Sequence, residues 1–414
     1  MSRFLFVVPP LFGHANAASA VAGALAGRGH EVAWCGPETF FRQLLGPGAT
    51  VFPTGARIYR EQAEHGLASV MSVWQEYIVP QARFTLPAAD QAVRAYRPDL
   101  LVADQHALAG ALAARQHSLR WATLIAQALE LTEPLRAVPG YTGWVHDQIA
   151  ALCRATGDPA CAGIGDRDHE AFATDLRFSP HLVIAFTTEA LTGEQDFPDH
   201  FALVGPALGP RPAQAPWDQW DRLDPGRRKL LVTVGTLATG IASGFYRRVA
   251  DAVAPLRAQL QAIVVGPPEA LPDPPENVLV TPYVPMLELL PEMDAVISHG
   301  GMNTVCEALA YGIPLIIAPI RHDQPVMASQ VTAAGAGIRV RFSRAGPSEL
   351  RRAVLAVLSD PAYRAAAGRI RDSFASAGGA PAAAARLERL AAAGPAAGDR
   401  GRAGPTALLS EEVS

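Results

Sequence analysis

Residues 298–325 read SHGGMNTVCEALAYGIPLIIAPIRHDQP and crowd a histidine, two adjacent glycines, a lone glutamate and an Asp-Gln pair into one short run. The apolar residues 294–298 predict a strand, so His299, Gly300 and Gly301 form the turn at its carboxyl end, where open α/β sheets place their ligands. A helix is expected from about Asn303 or Thr304 to Gly312, with Pro314 just beyond. Its first amides have no partner inside the helix and its positive dipole end faces the same crevice, which suits a diphosphate. The glycines let the backbone come close, and His299 can donate one more hydrogen bond. Thr304 and Glu307 admit two readings. T-x-x-E is a capping box, and Glu307 is also placed to accept hydrogen bonds from two ribose hydroxyls. Asp323 and Gln324 either open a helix whose first residue is Pro325, or follow a second apolar strand into the crevice and bind adjacent sugar hydroxyls. Read as one site, the run holds phosphate at His299, ribose at Glu307 and a hexose at Asp323 and Gln324.

The elements that must position these residues follow from the rest of the chain. Residues 3–8, a glycine loop, an alanine-rich stretch and the apolar residues 31–36 make a strand, helix and second strand, the unit of a parallel sheet. Residues 99–104 and the run from Trp121 supply more strands, and a Pro- and Gly-rich stretch without periodicity interrupts the pattern before the theme restarts at Lys229. A length of 414 residues is too long for one ordinary core. The expected fold is therefore α/β with two facing doubly wound, Rossmann-like parallel-sheet domains. The expected boundaries are 1–208 and 229–392, with a linker at 209–228 and a tail at 393–414 too small and polar to order itself.

The pattern H-G-G-x-N-T-x-x-E-A-L-x-x-G-I-P followed by D-Q resembles the donor-binding signature of inverting nucleotide-sugar glycosyltransferases of the GT-B fold, the UDP-glycosyltransferase and bacterial natural-product (macrolide-type) family. The resemblance runs over most of the chain and is concentrated in residues 283–325. It implies a UDP- or dTDP-sugar donor and a small lipophilic or aromatic acceptor. It also implies that Tyr283 stacks on the nucleotide base while the backbone of Val284 bonds its edge, and that Gly235 and Thr236 contact the donor phosphates and sugar. Met286 replaces a common glutamine, which leaves uridine against thymidine open. The Gly13-His14 loop after the first strand matches the family's general base, although Ala17 stands where proline is common, and Asp104 at the end of DLLVAD matches its partner. Neutral imidazole is matched to removing a hydroxyl proton near pH 7, and a carboxylate stabilises the imidazolium that forms. Without a ligand, His14 reads as a polar residue at a helix end and Asp104 as an N-cap. Trp74, Tyr77, Phe84 and Trp144 suit an aromatic or lipophilic acceptor and suit a core equally.

Other classes fit less well. Lys229 is the single lysine, so a P-loop lysine is missing. A net charge of −4 gives no general attraction to nucleic acid or anionic lipid. Asp166-Arg167-Asp168 resembles a metal-binding D-x-D but does not follow an apolar strand, so neither a metal nor a resident cofactor is expected. The four cysteines show no C-x-x-C spacing, no apolar run has the length of a membrane span, and the N-terminal run is too short for a signal core. A cytoplasmic protein without disulfides or integral membrane contact is expected. A nucleotide-sugar epimerase of the same fold, or an accessory protein without turnover, would need the donor site without His14 and Asp104.

Overall fold

In the computed structural model the described residues are 1–56, 66–158, 175–209, 217–235 and 241–393. Their strands form two sheets. The first contains β1 (Arg3–Val7), β2 (Glu31–Gly36), β3 (Thr50–Pro53), β4 (Leu100–Asp104), β5 (Trp121–Ile125), β6 (Val183–Ala185) and β7 (Phe201–Leu203), in the order β3-β2-β1-β4-β5-β6-β7. The second contains β8 (Arg228–Thr233), β9 (Leu260–Val265), β10 (Val278–Thr281), β11 (Ala295–Ser298), β12 (Leu315–Ile317) and β13 (Gly337–Arg339), in the order β10-β9-β8-β11-β12-β13. All strand pairings are parallel. Two Rossmann-like domains of the GT-B type result.

Parallel strands need helical crossovers, which cover both faces, and the central strands accordingly read as unbroken apolar runs: all residues of β4, β5 and β11 are buried. Each sheet grows outward in two directions from its first strand, so each has a switch point where the order reverses. In the first sheet this is β1 beside β4, in register Phe4 to Leu100 and Val7 to Ala103; in the second it is β8 beside β11, in register Ala295 to Leu230 and Ser298 to Thr233. Crossover packing at the first switch point is tight. A Cβ added to Gly110, in the helix Leu108–Gln116, would lie 2.9 Å from the Ala103 Cβ and 3.0 Å from the Val7 Cβ. Overpacking of that kind costs about 1–3 kcal/mol.

Chain end and chain start meet. The alanine-rich helix Gly379–Ala392 returns to pack on the equally alanine-rich helix Phe12–Ala26, because small side chains let two helices approach closely. Glu388 fixes the contact, accepting from Arg28 at 2.6 Å and lying 2.8 Å from His30 Nε2. The backbone amide of Gly379 donates to Val204 at 2.7 Å.

The expectation of unpaired cysteines is corrected. Cys153 is disulfide-bonded, while Cys35 and Cys306 are free and buried. Missing C-x-x-C spacing bears on metal and redox sites and says nothing of cysteines that the fold brings together. Among the described residues no helix is long and apolar enough to cross a membrane. Asp166-Arg167-Asp168 and the tail from 394 onward lie outside the described residues.

Candidate active site

At the first switch point, β1 ends at Val7 and the helix Phe12–Ala26 carries His14 in its first turn, buried at 5% exposure. The adjacent strand β4 ends on Asp104, 2% exposed. Strand order alone therefore brings together residues ninety positions apart, and His14 Nδ1 lies 2.7 Å from Asp104 Oδ2. With the Nδ1 proton directed at the carboxylate, Nε2 carries the lone pair, and the Gln127 side-chain amide lies 3.3 Å from it. The other oxygen of Asp104 accepts the backbone N–H of His106 at 2.9 Å. Asp104 is thus not a helix cap: the helix that follows starts at Leu108. Ligand atoms of His14, Asp104 and His106 lie within 4.8 Å of one another, and both Asp104 oxygens and His14 Nδ1 are engaged in hydrogen bonds.

At the second switch point His299 follows β11 and is enclosed by glycines from both strands' loops. A Cβ on Gly235 would lie 2.8 Å from His299 Nε2, and one on Gly301 2.7 Å. Burial pushes His299 down to about 4, partly offset by the Thr233 backbone, so the ring is neutral near pH 7 and has one N–H to donate. Gly300, at φ 93°, turns the chain into the helix Met302–Ala310. That helix starts one residue earlier than expected and its N-cap is Gly301, with no side-chain cap bond. The capping-box reading of Thr304 and Glu307 is thereby corrected, since Thr304 already lies inside the first turn. Glu307 is 7% exposed and borders a small cavity between the two halves, lined also by Asn16, Phe186, Leu208 and Asn303.

Asp323 and Gln324 follow β12. Asp323 precedes the helix Gln324–Ala333 without capping it through its side chain, and the helix begins on Gln324 rather than on Pro325. Burial and the Glu130 charge push Asp323 up to about 6, with His14 and His106 acting against the rise. Residues of the first half therefore act on a carboxylate of the second across one cleft. The Gln324 carbonyl oxygen accepts the backbone amides of Ile320 and Arg321 at 2.8 and 2.9 Å, leaving its amide hydrogens for a ligand. Tyr283 is 39% exposed, whereas Val284 is buried. Asn303, expected with Thr304 among the donor-binding residues at the helix start, donates its side-chain amide to the carbonyl of Gly13, the neighbour of His14. Thr236 lies outside the described residues.

Known proteins bear on this geometry. Residues 251–390 match the family model described as the C-terminal domain of erythromycin biosynthesis protein CIII-like proteins. The chain is 27% identical to 4'-demethylrebeccamycin synthase of Lentzea aerocolonigenes, over 91% of this chain and 96% of that protein. It is 26% identical to demethyllactenocin mycarosyltransferase of Streptomyces fradiae, over 94% and 87%. A solved spinosyn rhamnosyltransferase superposes with a TM-score of 0.74 at 22% identity, covering 94% of this chain and 100% of that one. The chain has the fold of the GT-B glycosyltransferases and resembles natural-product glycosyltransferases over nearly its whole length.

Two of the expected acceptor residues lie in the core. Trp74 and Tyr77, 1% and 6% exposed, are packed in the hydrophobic core of the first half and offer an aglycone no surface. The sequence signal for them was aromatic character alone, which a core uses equally. Trp144 is half-buried beside Tyr141, with ring centroids 6.2 Å apart, and Phe84 is 62% exposed above Gly55. Sequence reasoning missed Gln127, His106 and Glu130. All three lie just past the carboxyl ends of β4 or β5, and reading every polar residue at those strand ends would have found them.

Proposed function

We propose that this glycosyltransferase moves a hexose from a UDP- or dTDP-sugar to a hydroxyl of a small lipophilic or aromatic natural product, with inversion at the anomeric carbon. The observation that carries the reading is the buried His14–Asp104 pair, 2.7 Å apart, in the same cleft as Asp323, whose ionisation His14 affects. In this reading residues 1–208 hold the acceptor and residues 229–392 the donor.

His14 Nε2 takes the proton of the acceptor hydroxyl as its oxygen attacks the anomeric carbon, and Asp104 stabilises the resulting imidazolium. The leaving diphosphate departs on the opposite side. Its charge is met by the amides at the start of the helix Met302–Ala310 and by the neutral His299, without a metal ion. Glu307 takes the ribose hydroxyls, Tyr283 stacks on the base, Asp323 and the free amide of Gln324 take the sugar hydroxyls, and Gly235 lines the phosphate side. A solved spinosyn rhamnosyltransferase is described in complex with thymidine diphosphate and, separately, with spinosyn aglycone, which supports a donor and an acceptor of these classes.

The anomeric proton coupling of the purified product tests the mechanism. An α-linked donor is expected to give a β-linked glycoside, with turnover unchanged in EDTA. An α-linked product would mean retention, by double displacement or by attack on the face the diphosphate leaves, and would overturn the assignment of His14.

A further inference from the structure

Behind the His14–Asp104 pair lies a second buried histidine–carboxylate pair to which the transfer mechanism assigns no task. His106 and Glu130 are 3% and 4% exposed, with Nε2 and Oε1 3.5 Å apart. Gln105 Nε2 donates to the other Glu130 oxygen at 2.9 Å. The His106 ring lies 5.2 Å from the His14 ring, centroid to centroid, at 35°. Its backbone amide is the one that holds Asp104. A buried ion pair of this kind is expensive to desolvate and weak evidence for stability, so its position beside the base calls for another reason.

We propose that His106, held by Glu130, is a positioning residue of the transfer: its backbone amide holds the Asp104 carboxylate, and its imidazole, beside the His14 ring, biases His14 toward the neutral form that accepts the proton. The inference rests on the reading of His14 as the base. Its physical content is short-range electrostatics. Two imidazolium ions about 5 Å apart in a water-poor cleft repel strongly, so a cation at His106 disfavours a second one at His14. Burial opposes a charge on His106, yet the hydrogen bond and charge of Glu130, with the charges of Asp104 and Asp323, outweigh it and raise its pKa. Glu130 in turn is desolvated, and the His106 bond and charge together with Arg177 hold it below the usual carboxylate range. The charged or titratable groups around the two rings are thus Asp104 from the end of β4, Glu130 from the helix Ala128–Thr132, Arg177 behind it, and His322 and Asp323 from the opposite half.

The sign of the effect follows. Removing the His106 cation while Glu130 stays leaves His14 beside uncompensated negative charge, so His14 stays protonated to higher pH. The acid limb of the kcat/KM profile, measured for the acceptor at saturating donor, is expected to move up by about one pH unit in His106→Asn. Glu130→Gln removes the carboxylate and, because His106 then loses its charge near neutrality, leaves neither charge; it is expected to keep the limb close to its original position, as is the double variant His106→Asn/Glu130→Gln. A limb that stays in place in His106→Asn with kcat merely lowered, or one that moves as far in Glu130→Gln as in His106→Asn, would overturn the inference. Should His106→Asn fail to fold, His106→Gln gives the same readout. Full activity in His14→Ala would remove the parent reading instead; an inactive His14→Ala together with an unmoved limb in the His106 variant removes this inference alone.

Discussion

The two switch points have the same strand topology and opposite contents. At β1 and β4 the loops bring up the His14 imidazole, the Asp104 carboxylate and the His106–Glu130 pair, side chains whose polar atoms meet one another. At β8 and β11 they bring up glycines, a neutral histidine and a helix start, so that backbone rather than side chain faces the ligand. In the proposed reaction the difference follows from what each crevice would meet. A proton transfer needs a titratable atom held in one orientation, and a diphosphate needs many fixed N–H groups and room to approach them. The fold supplies the same crevice twice, and loop chemistry divides the labour.

That division can be broken from either side. The largest effect is expected from His14→Ala: a fall in kcat of roughly 100-fold or more, with nucleotide diphosphate affinity by calorimetry nearly unchanged, since the change lies in the half without the diphosphate site. Gly301→Ala attacks the other side, because its new Cβ would meet the His299 ring at 2.7 Å and displace it. Donor KM is expected to rise by about tenfold while kcat at saturation falls much less, a pattern that marks lost binding and not lost chemistry. Glu307→Gln is smaller still. Because Gly301 and not Thr304 caps the helix, the melting temperature is expected to hold while nucleotide affinity falls by several-fold, as a charged acceptor becomes a neutral one. A lower melting temperature with normal affinity would restore a capping role.

The smallest effect is in pH. Asp323 is pushed up to about 6 and serves a sugar hydroxyl best when ionised, whereas His299, pushed down to about 4, stays neutral throughout. Affinity for the nucleotide sugar is therefore expected to weaken a few-fold as pH falls through about 6, while affinity for the diphosphate alone stays flat from pH 8 to 5. Asp323→Asn is expected to abolish the difference between the two curves.

Much of the donor half was legible because its signals are local. One run of chain contains the strand, the glycine turn, the helix and the Asp-Gln pair, and β11, the helix start and the crevice follow from short-range periodicity to within a residue or two. β3, β6, β7 and β13 were not read from the sequence. Length does not separate them from β11 and β12, which are as short; they are strands because neighbouring strands offer them a ladder. The aromatic residues misled for a related reason: Trp74 and Trp144 have the same chemistry in sequence, and only packing decides that one is core and the other half-open.

By itself the sequence determined the fold class and the two-domain plan, and it named the groups proposed to meet a diphosphate, a ribose and a proton, because residue type and local spacing set propensity, turn chemistry and titration range. Tertiary structure alone decided which of those groups act together. The His14–Asp104 contact spans a sequence separation of 90, the Asn303 bond to Gly13 spans 290, and the influence of His14 and Glu130 on Asp323 crosses from one half to the other. Contacts of that range come from strand order and from the docking of the two halves, and electrostatic coupling falls off within a few ångströms, so no local pattern in the chain can encode them.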